Sequence, residues 1–271
     1  MRQQHCTINH LRVGGDAPVR LMGIINCSPE SFYRGSYAPA GGLYDRAMAM
    51  LDSGADMIDL GARSTAPGTL PITVAEEAAR VDAALSELDG TGITLSVDTR
   101  HPEVLEVCLR HEIHAVNDIA GLADERYARA VADSGLPVFA MASFKEPGDA
   151  VGLAATREAL TAVVNRCARL EIDEYVLDPA VGRWVPERTS EDDWELCRNF
   201  KSFSAFGRPV LAAVSRKTFI GDLLGRVPED RLAGTLALTT MLVGAGAAMV
   251  RSHDVGETAD LLRVYEKMRQ A

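Results

Sequence analysis

Residues 209–221 read PVLAAVSRKTFIG. An apolar run of strand character ends abruptly in Ser215, Arg216 and Lys217, and an apolar helix start follows at Phe219. A strand buried on both faces is hydrophobic throughout rather than alternating, and this one delivers a hydroxyl and two cations to one of its ends. Taken alone, the stretch also fits, less well, a strand that merely ends in solvated basic residues. The pattern recurs, however. Apolar strands end in polar residues at Asn26, Asp98, Asn117-Asp118, Asp178 and Arg251 to His253.

Working outward from this stretch, strand-like and helix-like segments alternate along the chain. Strands are expected over 19–26, 56–60, 94–98, 115–118, 137–141, 174–178, 209–215 and 249–253. Helices are expected over 44–53, 74–88, from Pro102 onward, and over 125–134, 153–170, 191–201, 219–224 with 230–245, and 257–270. Pro102 suits a first helical turn, where its missing N–H is not needed, and glycines stand near several helix ends at Gly54, Gly135 and Gly207. Strict strand–helix alternation implies a parallel sheet. Eight units in 271 residues favour closure into a single (β/α)₈ TIM barrel, which needs about 250 residues. No composition break divides the chain, so residues 1–271 read as one domain of α/β class. Residues 1–18 form a short N-terminal leader or a small β-element that closes the barrel bottom, with a turn at Gly14-Gly15-Asp16.

Apolar residues make up 47% of the chain and charged residues 24%, values that support a large core and argue against disorder. The net charge of −10 and a pI near 5.1 argue against a nucleic-acid or anionic-membrane partner. They leave room for a local basic pocket that takes an anionic small molecule. The five cysteines are widely spaced and form no CxxC pair, so reduced thiols are expected rather than a zinc knuckle or a disulfide framework. The start, MRQQHCTINHLRVGG, has no apolar signal core, and no apolar run approaches about 18 residues. A cytoplasmic protein without a membrane segment is expected.

In a barrel of this kind the active site sits at the C-terminal ends of the strands. Asp98, Asn117 and Asp178 bring two carboxylates and an amide to that mouth. A carboxylate accepts hydrogen bonds from an aminopyrimidine edge, and an amide both donates and accepts. Lys217, Arg251 and His253 add cationic or donor groups suited to a phosphate or pyrophosphate. Singly, Asp98 and Asp178 are as readily cap or turn residues before Pro102 and Pro179, Asn117-Asp118 a turn pair, and His253 a structural histidine. Phe139 and Met141 read mainly as core. The convergence carries the inference. No GxxxxGK[ST] or GxGxxG motif follows a strand, so a nucleotide-binding fold is not supported. The loops at 27–42 and 61–73, rich in Gly, Pro and Ser, are long enough to be functional or mobile.

Seven segments then become recognisable together: MGIINCSPESF (22–32), GADMIDLGARSTAPG (54–68), SVDT (96–99), NDIAG (117–121), LDPAVG (177–182), SRKTFIG (215–221) and VRSHD (250–254). In this order and spacing the chain resembles the dihydropteroate synthases over essentially its whole length. The resemblance implies a (β/α)₈ barrel, a homodimer, and condensation of a dihydropterin-CH₂-pyrophosphate with an arylamine, assisted by Mg²⁺. It implies that Asp98, Asn117, Asp178 and Lys217 bind the pterin, with Met141 beside them. Arg251 would stack on the pterin and hold pyrophosphate together with His253. Asn26 would stand at the pyrophosphate–Mg²⁺ end, and Ser215 and Thr65 would face the arylamine. Lys217, Asp98, Arg251 and His253 form the catalytic set on this reading.

The chain departs from the family pattern on the acceptor side. Arg34 stands where an acidic residue is usual, Ala66 where an arginine is, and Arg63 where a glutamate is. MASFKEPG (141–148) lacks the usual histidine-containing run, and Arg183-Trp184 replaces an aromatic–glycine–lysine run. Arg34, Arg63 and Arg183 are thus candidates to receive a more anionic arylamine, as in archaeal-type relatives that use an aminobenzene bearing a ribose phosphate for tetrahydromethanopterin. Two other functions share the cleft: a pterin-dependent methyltransferase and a non-catalytic pterin-binding protein. Methyl transfer involves no pyrophosphate, so it gives no reason for the Ser215 to Lys217 and Arg251 to His253 cations.

Overall fold

The computed structural model describes residues 4–27, 41–63 and 72–269. A hairpin of β1 (His5–Ile8) and β2 (Leu11–Gly14) precedes the repeating units. These run β3 (Arg20–Asn26), α1 (Leu43–Asp52), β4 (Met57–Gly61), α2 (Val74–Leu88), β5 (Leu95–Asp98), α3 (Pro102–Cys108), β6 (Ala115–Asp118) and α4 (Glu125–Ser134). The second half follows as β7 (Val138–Met141), α5 (Gly152–Arg169), β8 (Tyr175–Asp178), α6 (Ser190–Arg198), β9 (Leu211–Ala212), α7 (Thr218–Leu224), α8 (Leu232–Gly244), β10 (Met249–Ser252) and α9 (Val255–Arg269). The eight strands of the main sheet are parallel, in the order β8-β7-β6-β5-β4-β3-β10-β9. A bridge between Leu177 and Val210 joins the two ends, and the Leu177 N–H donates to the Pro209 carbonyl at 2.9 Å. The eight-unit barrel expected from the sequence is the observed fold.

Local chemistry explains why the helices start and stop where they do. Thr73 caps α2, accepting from the Glu76 N–H while the Glu76 side chain reaches back to the Thr73 N–H. This capping box satisfies donors that a helix start otherwise leaves orphaned. Asp124 caps α4, and Gly135 closes it at φ 67°, a left-handed conformation that glycine adopts without steric cost.

Strand side chains alternate between two cores. Outward residues such as Ile58, Val97 and Val116 pack under the helices. Inward residues Met22, Met57, Ala115, Phe139, Val176, Leu211 and Met249 pack with Cys6, Ile8, Leu11 and Val13 of the hairpin. Within the described part of 1–18, the hairpin of β1 and β2 thus covers the inward core of the barrel.

One strand is shorter than expected. The 209–215 run yields only Leu211–Ala212 as β9, with an isolated bridge at Val210 beside it, and just past the run the backbone donors bond elsewhere. The Arg216 N–H bonds to Thr235 Oγ1 on α8 at 3.0 Å, and the Lys217 N–H to the Val214 carbonyl.

Candidate active site at the open end of the barrel

Register brings the polar strand ends together. Asn26 lies beside Gly61, Gly61 beside Asp98, and Asp98 beside Asn117, while Met141 lies beside Asp178. A residue that sequence reasoning passed over stands among them. Asp59, in the middle of β4, is fully buried. Its Oδ2 accepts from Asn117 Nδ2 at 2.9 Å and from Arg251 Nε at 2.6 Å, and its Oδ1 accepts from the Ser96 hydroxyl. A buried carboxylate is tolerated when donors of this kind surround it. The available signal was a charge inside the apolar run MIDLG, at the inward parity of Met57 and two residues from each of its inward neighbours.

Arg251 donates a second bond, from Nη2 to Asp98 Oδ2 at 3.0 Å. Desolvation works against its charge, but Asp59 and Asp98 more than compensate and hold its pKa above the ordinary guanidinium value. For Asp98 the balance is reversed. Loss of water and the negative charge of Asp59 push its pKa up to about 7, with Arg251 opposing. Near neutral pH the carboxyl of Asp98 is therefore poised between its two protonation states.

Across the mouth, Asp178 Oδ1 accepts the Ala180 N–H at 2.8 Å. Burial raises its pKa, while that N–H and the charges of Lys217 and Arg251 pull it back. Lys217 stands immediately before α7, with its Nζ 4.7 Å from the centroid of the Trp184 ring. Burial lowers its pKa, and Asp178 counters the shift. Trp184 is a second residue that sequence reasoning did not place in the site, whereas its neighbour Arg183 is exposed.

Ser215 and His253 form a unit. Ser215 Oγ accepts the backbone N–H of His253 at 3.1 Å and lies 3.0 Å from His253 Nδ1. At Nδ1 the ring donates to or accepts from the hydroxyl according to its tautomer. Desolvation and the charges of Arg251, Lys217 and Arg216 push the His253 pKa down to about 3. The imidazole is thus neutral and not a cation.

Arg216, read from the sequence as a cation offered at the strand end, is a structural residue. At φ 55° it turns away from the mouth and binds Asp254 through Nε and Nη2 at 2.9 and 2.7 Å. Its Nη1 donates to the carbonyls of Pro228 and Glu229. Asp118 likewise separates from Asn117, since its two oxygens accept the N–H groups of Ala120 and Leu122. Arg63 is ion-paired, its Nε 2.5 Å from Glu77 Oε2. Glu77 is buried in α2 and also accepts from Thr99 Oγ1 at 2.7 Å. The positive charge inferred at 63 is therefore balanced from a helix that the motif comparison did not consider.

Asn26 ends β3 with its Oδ1 over Gly61, where an added Cβ would lie 3.3 Å from that oxygen and 3.7 Å from the Cβ of Asp98. Among the described residues no cluster of three His, Cys, Asp or Glu is arranged to hold a metal. One neutral oxygen such as that of Asn26 nonetheless fits Mg²⁺, which commonly completes its shell with phosphate oxygens and water. Arg34 and Thr65 lie outside the described residues, as does most of each long loop.

The family model described as "Pterin binding enzyme" matches residues 22–253. The chain is 33% identical to the dihydropteroate synthase of Escherichia coli K12 over 260 residues, covering 91% of this chain and 90% of that protein. It is 31% identical to the dihydropteroate synthase of Mycobacterium leprae over 266 residues, covering 92% and 93%. Among solved structures, dihydropteroate synthase from Xanthomonas albilineans with 4-aminobenzoic acid superposes with a TM-score of 0.86 at 31% identity, covering 99% of both chains. The Coxiella burnetii enzyme in complex with pteroic acid gives 0.84 at 28% identity, covering 98% of both.

Proposed function

The chain belongs to the dihydropteroate synthase family of pterin-binding enzymes, and on that footing we propose that it condenses 6-hydroxymethyl-7,8-dihydropterin pyrophosphate with 4-aminobenzoate in folate biosynthesis. The C–N bond forms at the pterin methylene as the C–O bond to pyrophosphate breaks. The observation that carries this reading is that Asp98, Asn117 and Arg251 are joined around Asp59, with Asp178 and Lys217 close enough to Arg251 to share its electrostatic field.

The pterin's amino and ring N–H groups call for acceptors, which Asp98, Asp178 and the Asn117 amide oxygen supply, and its carbonyl calls for a donor such as Lys217. Met141, buried beside Asp178, offers an apolar wall. As positive charge develops at the methylene, the leaving pyrophosphate needs donors and cations in place beforehand. Arg251 arrives pre-oriented by two carboxylates, and His253 donates as a neutral imidazole. Mg²⁺, bound through Asn26 and the substrate's own oxygens, would add charge neutralisation to the leaving group. The aromatic amine attacks a strongly electrophilic carbon, so no strong general base is required.

Ser215 and Thr65 are assigned to the arylamine side. 4-Aminobenzoate is preferred as acceptor because Arg63 is already held by Glu77, which weakens the case for a phosphate-bearing arylamine. Arg34 and Arg183 are the residues on which that alternative still turns. Homodimerisation through the late helices is supported by their apolar exposure. Met241 on α8 is 70% exposed, and Val264 and Met268 on α9 are 66% and 81% exposed. Ala233, Ala237 and Gly244 are exposed on α8 as well. A cytoplasmic location agrees with five unpaired thiols and with the lack, among the described residues, of a helix long and apolar enough to cross a membrane.

Release of pyrophosphate that requires both the pterin pyrophosphate and an arylamine, with pteroate as co-product, tests the function. Pterin binding without pyrophosphate release would overturn it. Comparing 4-aminobenzoate with its ribosyl-phosphate counterpart, in wild type and Arg34→Ala, tests the acceptor. Light scattering of wild type and Met241→Glu tests the dimer.

A further inference from the structure

Lys217 lies against the loop that follows β8, and that loop is bonded to a buried ion pair. The segment after β8 begins at Asp178, whose Oδ1 takes the Ala180 N–H, and passes Gly182 at φ +134°. A Cβ on Gly182 would stand 2.9 Å from Lys217 Nζ, 3.0 Å from its Cδ and 3.3 Å from its Cε. The lysine therefore lies directly on the glycine backbone, in a space that any larger residue would fill. On another side it meets the Trp184 ring, whose Nε1–H donates to the Ala180 carbonyl at 3.0 Å.

The Gly182 N–H donates to Asp193 Oδ1, in the first turn of α6, at 2.8 Å. The same oxygen receives Arg188 Nε at 2.9 Å, and both side chains are 0% exposed. Among the described residues, Arg188 Nη1 and Nη2 and Asp193 Oδ2 find no hydrogen-bond partner. A buried ion pair whose remaining polar atoms are unsatisfied is a poor source of stability, and apolar residues of similar volume commonly do as well or better. Among the described residues, the pair's one side-chain hydrogen bond outside itself is with the backbone on which Lys217 rests.

We infer that Arg188 and Asp193 are positioning residues for Lys217: Asp193 anchors Gly182 against the lysine side chain, and Arg188 anchors Asp193. The inference rests on the proposed reading that Lys217 faces the pterin. The charge of Asp193 favours the Lys217 ammonium, whereas that of Arg188 opposes it, so the role inferred for Arg188 is mechanical. Neither residue needs to touch substrate, so their effect passes through the lysine.

The test is steady-state kinetics of Asp193→Asn, Arg188→Lys and the apolar double variant Arg188→Met/Asp193→Leu, each also built on Lys217→Ala. The apolar double variant covers the case in which a single replacement leaves an unpaired buried charge and fails to fold. Asp193→Asn and the apolar double variant are expected to raise KM for the pterin pyrophosphate roughly ten- to a hundredfold, the range for misplacing a supported group. KM for the arylamine should stay within about threefold, because displacement of Lys217 affects one substrate. Arg188→Lys should recover most of the effect. On the Lys217→Ala background Asp193→Asn should add almost nothing, as groups acting through one another are not additive. A lowered melting temperature with unchanged pterin KM, or an additive effect on Lys217→Ala, would overturn the assignment. If Lys217→Ala itself leaves the pterin KM unchanged, the premise fails and the assignment with it, a result the same data identify separately.

Discussion

Asp59 Oδ2 lies 2.6 Å from Arg251 Nε, joining β4 to β10 across the β3 strand between them. The same oxygen holds the Asn117 amide, so one buried carboxylate orients two residues of the proposed pterin-binding set. Asp59→Ala would leave Arg251 without its main counter-charge. Loss of one partner from a buried pair costs about 3–5 kcal/mol, to be read as a lower urea midpoint. Asp59→Asn should cost less in stability but still depress kcat/KM, because the amide offers a weaker acceptor to the guanidinium. Wild-type activity in Asp59→Asn would show that Arg251 does not depend on this contact.

Asp98 should impose a pH dependence on pterin binding. Its pKa is raised to about 7, so the carboxyl is protonated below that value and ionised above it. An ionised carboxylate is the better acceptor for a pterin N–H, and affinity is therefore expected to strengthen as pH rises through about 7. Asp98→Asn should bind more weakly and with a flat profile. Calorimetric titration of a pterin across this range checks both points, and a wild-type profile with no inflection would count against the assignment.

His253 should not contribute an acid limb of its own, since its pKa of about 3 keeps the imidazole neutral through the working range. A neutral donor can be imitated. His253→Gln is expected to retain kcat/KM within about tenfold, whereas His253→Ala should lose roughly 10²–10³, the cost of one donor to a developing oxyanion. Equal losses in the two variants would point to a requirement for the imidazole itself.

Away from the mouth, His111 bridges Asp89 and Asp82, its Nδ1 2.6 Å from one and its Nε2 2.9 Å from the other. Desolvation lowers its pKa, but the two carboxylates overcome this and raise it above the usual histidine value. A raised folded-state pKa means that the stabilisation is present below the unfolded value and lost as pH rises through the folded one. His111→Gln should thus lower the melting temperature at mildly acidic pH and change it little at alkaline pH. The effect should be about 0.2–1 kcal/mol, the range for partly exposed pairs.

The sequence by itself determined the barrel. Eight apolar runs alternating with amphipathic helices leave few topologies open, because parallel strands need helical crossovers and their buried faces need cover. It also determined the rim, since Asp98, Asn117, Asp178 and Arg251 are polar residues where apolar runs end, and strand direction sends all such ends to one side. Helix limits such as 74–88 and 125–134 were legible because capping chemistry is local. What only the tertiary structure decided is which of those charges face the site. Arg216 and Lys217 are adjacent in sequence, yet one turns outward to Asp254 and the other stays over Gly182. Arg63 resembled a spare cation until α2 brought Glu77 to it, and Asp59 resembled core until three strands brought it donors. Hydrophobic periodicity reports burial along one segment, whereas a charge is settled by partners tens to hundreds of residues away, which only the closed barrel brings within a few ångströms.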